Sequence, residues 1–421
     1  MASQQQTAET TRTLHTTASR RPKVDWWTRR TDRPTYEVVG PLEKFDERDN
    51  VGNRTNLKPG SPEYKAYYAA HPELEAGDRR FRFYPTHESQ EAKRGKVYRR
   101  YPFGLALTYA SSLVAYLGPL VDGPPRAERL HVEPEVAAKN IKGVARYFGA
   151  DLVGISELNP AWVYSHQGRS GHWGEPITLT HKYAISIAIA HDFDLLLACR
   201  GFSLACTIET EQLAFTQLSL VAVRLASYIR ALGYPARAHT GGGQVLNVPA
   251  AVDAGLGEIS RPGYLLTKEY GPAVRLVTVT TDLPLEADKP VDLGVQDFCA
   301  KCMKCAEVCP TGAVSKGDKV VIRGARLWPF AAEKCYRLRM ALGNTPCMYC
   351  MSACPWTKPR NVVHQTAAEI AIRLPITRRP LLWIDDILYG RKPHLHAYPA
   401  WLDPDHQPRL RERISSFLHH I

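Results

Sequence analysis

The chain has no run of eighteen apolar residues, so no spanning helix is expected. The nearest candidate, Phe103 to Val121, is uncharged but broken by Thr108, Ser111, Ser112, Gly118 and Pro119. It reads as a buried helix, with peripheral membrane contact as the alternative. Ser19-Arg20-Arg21 starts like a twin-arginine signal, yet Pro22, Lys23 and Asp25 stand where the apolar stretch should begin. The expectation is a cytoplasmic protein. Tandem repeats of 20 to 50 residues are missing too, which excludes a solenoid. No nicotinamide fingerprint precedes the cysteines: the one glycine cluster, Gly241-Gly242-Gly243, lacks the spacing of a dinucleotide or phosphate loop. Outside residues 299 to 354 cysteine is scarce, with only Cys199 and Cys206, so a disulfide-stapled secreted domain is excluded as well.

What is present is enough apolar residue for a large core, 44% against 23% charged over 421 residues. Lys and Arg outnumber Asp and Glu by 54 to 42. The excess is spread along the chain, so it only weakly suggests an anionic partner, and nucleic acid is not expected. Residues 1–130 are polar but aromatic, with Trp26, Trp27, Tyr36, Phe45, Tyr64, Tyr67 and Tyr68 and few aliphatics. Such a segment is expected to wrap over another domain, its first twenty residues disordered. From 131 to 290 the periods alternate between helix and strand, as in α/β or α+β domains. Val136 to Phe148 is an amphipathic helix, and Asp151 to Ile155 and Ala184 to Ile189 are strands. Leu218, Val221, Ala222, Leu225, Ile229 and Leu232 mark a helix ended by Gly233 and Pro235, and Arg275 to Thr280 is a buried strand closing the domain.

The remaining eight cysteines carry the strongest signal. Cys299, Cys302, Cys305 and Cys309-Pro310 form C-x2-C-x2-C-x3-C-P, the run that grips one iron–sulfur cube with three thiolates and sends its fourth to a second cube. Cys335, Cys347, Cys350 and Cys354-Pro355 form the second half, its first ligand displaced upstream. By this crossover, Cys299, Cys302, Cys305 and Cys354 hold one [4Fe-4S] cluster, and Cys309, Cys335, Cys347 and Cys350 the other. Two-residue gaps curl the backbone round a cube face and aim N–H groups at sulfur. Structural zinc and a module without redox work are the bland alternatives. Two adjacent clusters make a wire, which implies a one-electron acceptor at its end.

The chain resembles the cobalamin-dependent reductive dehalogenases over roughly residues 145 to 360. The resemblance rests on Phe148-Gly149-Ala150-Asp151-Leu152-Val153-Gly154-Ile155 and Trp162-Val163-Tyr164-Ser165, then Tyr228-Ile229-Arg230-Ala231-Leu232-Gly233-Tyr234-Pro235-Ala236. Ala254-Gly255-Leu256-Gly257-Glu258, Tyr270-Gly271-Pro272-Ala273-Val274-Arg275 and Thr281-Asp282-Leu283-Pro284-Leu285 follow, with looser echoes at Phe45-Asp46-Glu47-Arg48 and Trp383-Ile384-Asp385-Asp386. It implies a nitroreductase-like corrinoid-binding domain over 131–290, a ferredoxin-like domain with two clusters over 291–365, and a C-terminal extension over 366–421. It implies cobalamin as cofactor, an organohalide as substrate, and a low-potential ferredoxin or flavodoxin as donor. Arg275 matches the arginine near the family's substrate. Gly241, Gly242, Gly243, Gln244 and Asn247 are the candidate corrinoid contacts, although a glycine triplet is equally a flexible turn. The chain departs at the family's tyrosine proton donor, where Phe215 stands, leaving Glu211, Tyr228 or water as candidates. His166, His172 and His191 read as structural rather than cobalt ligands, and Cys199 and Cys206 as buried thiols. Two other classes remain open at this point: an epoxyqueuosine-reductase-like enzyme acting on tRNA, and a plain electron carrier.

Overall fold

The computed structural model describes residues 28–82, 117–169, 171–199, 216–240, 243–341 and 347–391. Trp26, Trp27, Cys206, Glu211, Phe215, Gly241, Gly242 and most of the Phe103 to Val121 segment lie outside them.

In chain order, the polar segment contributes two short strands, β1 (Arg29–Arg30) and β2 (Glu37–Val38), and the helices Pro62–Ala70 and Pro72–Arg82. The core follows with α1 (Pro134–Tyr147), β3 (Leu152–Glu157), β4 (Tyr183–Ala190), α2 (Leu218–Ala231), β5 (Ala236–Ala238) and α3 (Asn247–Asp253). After the hairpin β6 (Glu258–Ile259) and β7 (Leu265–Leu266) come β8 (Val274–Thr281) and β9 (Val291–Asp292). The cysteine region holds α4 (Val295–Cys302), α5 (Lys304–Glu307), β10 (Val320–Ile322), β11 (Ala325–Leu327), α6 (Ala332–Ala341) and α7 (Tyr349–Ser352). Helices α8 (Val362–Arg373) and α9 (Arg378–Tyr389) end the described chain.

The helical and strand periods meet in one core. Ala137, Ala138, Ile141 and Ala145 of α1 and Leu218, Val221, Ala222, Leu225, Ala226 and Ile229 of α2 pack on one face of a four-stranded sheet. That stripe is broad enough to bury a helix side on a sheet. Gly233 takes φ +88 beyond α2, where a Cβ would lie 2.4 Å from the Glu128 carbonyl oxygen, so only glycine closes this helix. The sheet order is β3-β4-β8-β5, antiparallel throughout, with Ile189 opposite Arg275 and Ala238 opposite Val279. The mixed helix and sheet composition expected of the domain is present, as an antiparallel α+β layer. The strand expected to close the domain is last in sequence but interior in the sheet, and its Val279, Thr280 and Thr281 are fully buried.

The polar segment pairs with residues far downstream: β1 with β9, and β2 with β11. Arg54, buried with Asp78 at 2.7 Å, also reaches Glu333 at 3.0 Å. Glu47 is buried against the 166–169 loop, accepting from the Gly168 N–H at 2.9 Å and Arg169 Nε at 2.9 Å. Among the described residues no helix is long and apolar enough to cross a membrane.

Candidate metal and catalytic centre

The two halves of the cysteine region share a local geometry. Cys302 ends α4, Met303 adopts the left-handed φ 56, and α5 begins with Cys305 in its first turn. In the second half Met348 adopts φ 52 after Cys347, and α7 carries Cys350. Arg323 is the remaining non-glycine residue with positive φ among those described. Such a conformation costs an ordinary side chain roughly 1–2 kcal/mol. The same strain at the same place in both C-x2-C steps is the signature of a backbone bent around a ligand.

The cysteines fall into two groups. Cys299, Cys302 and Cys354 belong to one buried cluster with Phe298, Trp328 and Trp356, and charge on Cys302, Cys299 or Cys305 would be felt at Cys354. Cys309, Cys335, Cys347 and Cys350 line a cavity of about 180 Å³. Cys305 would be felt at both Cys354 and Cys350, so it lies between the two groups. Burial pushes the thiols of Cys299, Cys302 and Cys305 up to about 12 and those of Cys350 and Cys354 upward as well. Buried thiols in that state wait for a metal to displace their protons. Cys309 differs: burial raises its pKa, but hydrogen bonds, including the Ala313 N–H at 3.2 Å, outweigh it and bring it below the ordinary thiol value. Among the described residues no three metal-binding side chains converge as a single ion would require.

Arg275 is half-buried at the start of β8 and forms the wall of the same cavity, beside Tyr264. It is therefore not a surface arginine on a strand edge. Tyr264 hydrogen-bonds Cys350, and the charge of Cys350, followed by burial, drives its pKa well above 10.0, so it stays protonated. Nothing in the sequence pattern singled out Tyr264, because its partner lies 86 positions away.

The glycine-loop candidates sit elsewhere. A Cβ on Gly243 would lie 2.3 Å from the His239 Cβ and 2.6 Å from its carbonyl oxygen, so close approach is required here by the protein's own backbone. The Gln244 N–H donates to His239 Nδ1 at 3.2 Å, and its carbonyl accepts from Tyr164 N–H at 3.0 Å. Asn247 opens α3, its Oδ1 accepting from the Thr278 hydroxyl at 2.8 Å. Alternation along β8 puts Arg275, with Val277 and Val279, on the opposite face from Thr278 and α3. The structure thus joins Arg275 to the second cysteine group and Asn247, Gln244 and Gly243 to one another, but the two sets occupy opposite faces of the sheet.

His239 is buried, and burial lowers its pKa to about 3. Neutral, it accepts at Nδ1, so Nε2 donates to Thr280 Oγ1 at 2.8 Å. Among the other candidates, His166 lies 3.1 Å from Asp46 and His172 3.0 Å from Glu175, His191 is buried, and Cys199 contacts the Met348 sulfur at 3.7 Å. Tyr228 directs its hydroxyl to Asn140 at 2.9 Å on the protein surface, away from the cavity. The echo at Trp383 to Asp386 has a physical role: Asp385 and Asp386 bind Lys304, which stands between Cys302 and Cys305 and is only 2% exposed.

Residues 298–358 match the family model of a 4Fe-4S dicluster domain. The chain is 30% identical over 290 residues to a tetrachloroethene reductive dehalogenase of Dehalobacter restrictus, covering 58% of this chain and 52% of that protein. A catabolic reductive dehalogenase solved with 3-bromo-4-hydroxybenzoic acid superposes with TM-score 0.70 at 29% identity, over 87% of this chain and 49% of that one. A second solved reductive dehalogenase, described in terms of B12-dependent dehalogenation, gives TM-score 0.69 at 27% identity over 92% of this chain and 55% of its own. An epoxyqueuosine reductase of Lactococcus garvieae matches 28% of the chain at 31% identity. The chain spans about half the length of the curated relatives it matches first.

Proposed function

Because the chain belongs to the reductive dehalogenase family, we propose that it removes halide from an organic halide, using a corrinoid and two [4Fe-4S] clusters. The balanced change is R–X + 2e⁻ + H⁺ → R–H + X⁻. The observation that carries this reading is one cavity walled by four cysteines on one side and by Arg275 and Tyr264 of the α+β core on the other. One cluster would be held by Cys299, Cys302, Cys305 and Cys354, the other by Cys309, Cys335, Cys347 and Cys350. Electrons would come from a low-potential donor such as ferredoxin or flavodoxin.

A corrinoid, when bound, supplies a low-valent cobalt centre that accepts electrons singly and breaks the carbon–halogen bond. Of the glycine-loop residues only the amides of Gln244 and Asn247 suit such a group, and they do so from the sheet face opposite Arg275. Gln244 has its backbone fully engaged and its side-chain amide unbonded among the described residues, and Asn247 keeps its NH2 for a partner. Amides of this kind match the carboxamide rim of a corrin. Arg275 would stabilise the departing halide or an adjacent anion with a fixed guanidinium. Tyr264, held protonated against Cys350, would orient that wall rather than give up its proton. The polar segment that pairs β1 with β9 and β2 with β11 would clamp the two regions together and help exclude water.

The test is anaerobic reconstitution followed by turnover. About eight irons and about one corrinoid per chain are expected, with reduction of a halophenol or chloroalkene and none of a tRNA stem-loop. Arg275→Lys should keep iron and corrinoid yet lose about 10- to 1,000-fold in rate, since a point charge on a flexible stem does not replace a guanidinium fork. Full rate in Arg275→Lys, or iron without corrinoid, would overturn the reading.

A further inference from the structure

Two cations are buried beside the first cysteine group, and their surroundings differ. Lys304 is matched by Asp385 and Asp386. Arg261 is 3% exposed and has no carboxylate partner among the described residues. All its donors go to carbonyl oxygens: Nε and Nη2 to Cys299 at 3.2 and 3.1 Å, and Nη1 to Ser315 at 3.0 Å and Gly317 at 3.2 Å. Its guanidinium also lies 4.5 Å over the ring of Trp328, and Lys319 Nζ lies 4.3 Å from the same ring. Lys319 hydrogen-bonds Gln296 Oε1 at 2.6 Å and forms no ion pair among the described residues. A buried carboxylate in this region, Glu258, accepts from the Leu293 and Val295 N–H groups and the Thr35 hydroxyl and forms no ion pair with Arg261 or Lys319 among the described residues, although its charge is felt at Lys319.

A buried guanidinium is costly unless an anion balances it, and neutral carbonyls do not supply a charge. A cube held by four thiolates does supply it, and becomes more negative on reduction. Arg261 is bonded to the backbone of Cys299 itself. We propose that Arg261, with Lys319 on the same Trp328 ring, is the fixed counter-charge of the cluster held by Cys299, Cys302, Cys305 and Cys354, and holds that cluster's reduction potential up. The inference rests on the two-cluster reading above. A positive charge near the cube stabilises the reduced form more than the oxidised one, so its removal disfavours reduction.

The experiment is a redox titration of the reconstituted full chain followed by paramagnetic resonance, with iron content measured alongside. Two reducible clusters in the wild-type protein test the reading; the variants test the inference. Arg261→Gln should lower the equilibrium constant for reducing one cluster about tenfold, about 59 mV for a one-electron couple, and leave the other unmoved. Arg261→Lys, which keeps the charge and loses the fork, should stay near the wild-type potential. Unchanged potentials in Arg261→Gln, or an equal fall in both variants, would overturn the counter-charge and leave a mere rivet between carbonyls. If Arg261→Gln does not load iron, Lys319→Gln decides: a smaller fall confined to one cluster supports the proposal, and no shift overturns it.

Discussion

Gly271 tests whether the α+β core dictates the position of the last cysteine. It sits at φ +57, and a Cβ there would lie 2.6 Å from the Trp356 carbonyl oxygen and 2.7 Å from its carbonyl carbon and Cβ. Trp356 follows Cys354-Pro355 directly. Gly271 cannot retreat, because its N–H donates to the Thr267 carbonyl at 3.0 Å and its own carbonyl accepts from the Thr267 N–H at 2.9 Å and hydroxyl at 3.0 Å. In Gly271→Ala the left-handed conformation costs roughly 1–2 kcal/mol, and forced overlap with backbone typically adds about 1–3 kcal/mol. The total, about 2–5 kcal/mol, is a large part of a typical domain's stability of roughly 5–15 kcal/mol. The strain is relieved most cheaply by moving Trp356, which carries Cys354 with it. Gly60→Ala is the control: φ is +83 and nothing lies within 4 Å of the added carbon, so it suffers the conformational cost alone. Reconstituted Gly271→Ala should lose about half of its iron, with the thermal transition lowered further than in Gly60→Ala. Full iron content and a transition matching the control would refute the claim that Gly271 seats the cysteine loop.

Acid stability should report His239, whose pKa lies at about 3 when folded against 6.5 for an ordinary histidine. With a depressed folded pKa, its contribution is complete above about 6.5 and is lost as pH falls toward about 3, since the unfolded chain takes up the proton first. Between pH 7 and 5 the wild type should lose about 2 kcal/mol more than His239→Gln in denaturant unfolding; parallel losses would show that the imidazole is not held neutral. Lys304→Met should destabilise by about 1–3 kcal/mol, because Asp385 and Asp386 lose their shared ammonium but keep Lys358 at 2.8 Å and Arg391 at 2.6 Å. Adding Asp385→Asn should recover part of that loss in a melting experiment, and no recovery would mean that the ion pair is not what fixes the Cys302–Cys305 turn.

The elements with a clear period were legible. Helix α2 runs over the Leu218 to Ile229 stripe and stops at Gly233, and β8 covers the predicted Arg275 to Thr280. The cysteine run was legible as a 4Fe-4S dicluster region because metal spacing is a local constraint. Strand order was not: a strand's pattern reports which face is buried, not which strands flank it, so β8 was read as the closing strand and lies between β4 and β5. The Gly241 to Gly243 cluster was legible as a tight place, but the group it accommodates at Gly243, the His239 backbone, is fixed by tertiary packing. Arg261 and Tyr264 escaped notice for the same reason. Their meaning lies in Cys299 and Cys350, 38 and 86 positions downstream, and an isolated arginine or tyrosine after a β-hairpin strand has no sequence signature of such a contact.

The two cysteine groups also face different neighbours. The first group is packed against Phe298, Trp328 and Trp356, with Leu382 of α9 and Ala368 and Ile372 of α8 on one side and Leu266 and Val291 on the other. The second group, which closes later in the chain, meets Arg275 and Tyr264 from the core. An electron entering among the outer helices would meet the first group, with Arg261, which has no carboxylate partner among the described residues, before the second. A potential held up at the outer cluster makes it a readier acceptor from a donor, whereas the inner cluster has cations of its own, Arg275 and Arg339, in its cavity wall. Arg261→Gln should therefore slow cluster reduction by an external donor before it alters any step at the cavity. Stopped-flow reduction with dithionite-reduced ferredoxin would register the change, and wild-type rates with a lowered outer potential would break the link between the cation and electron entry.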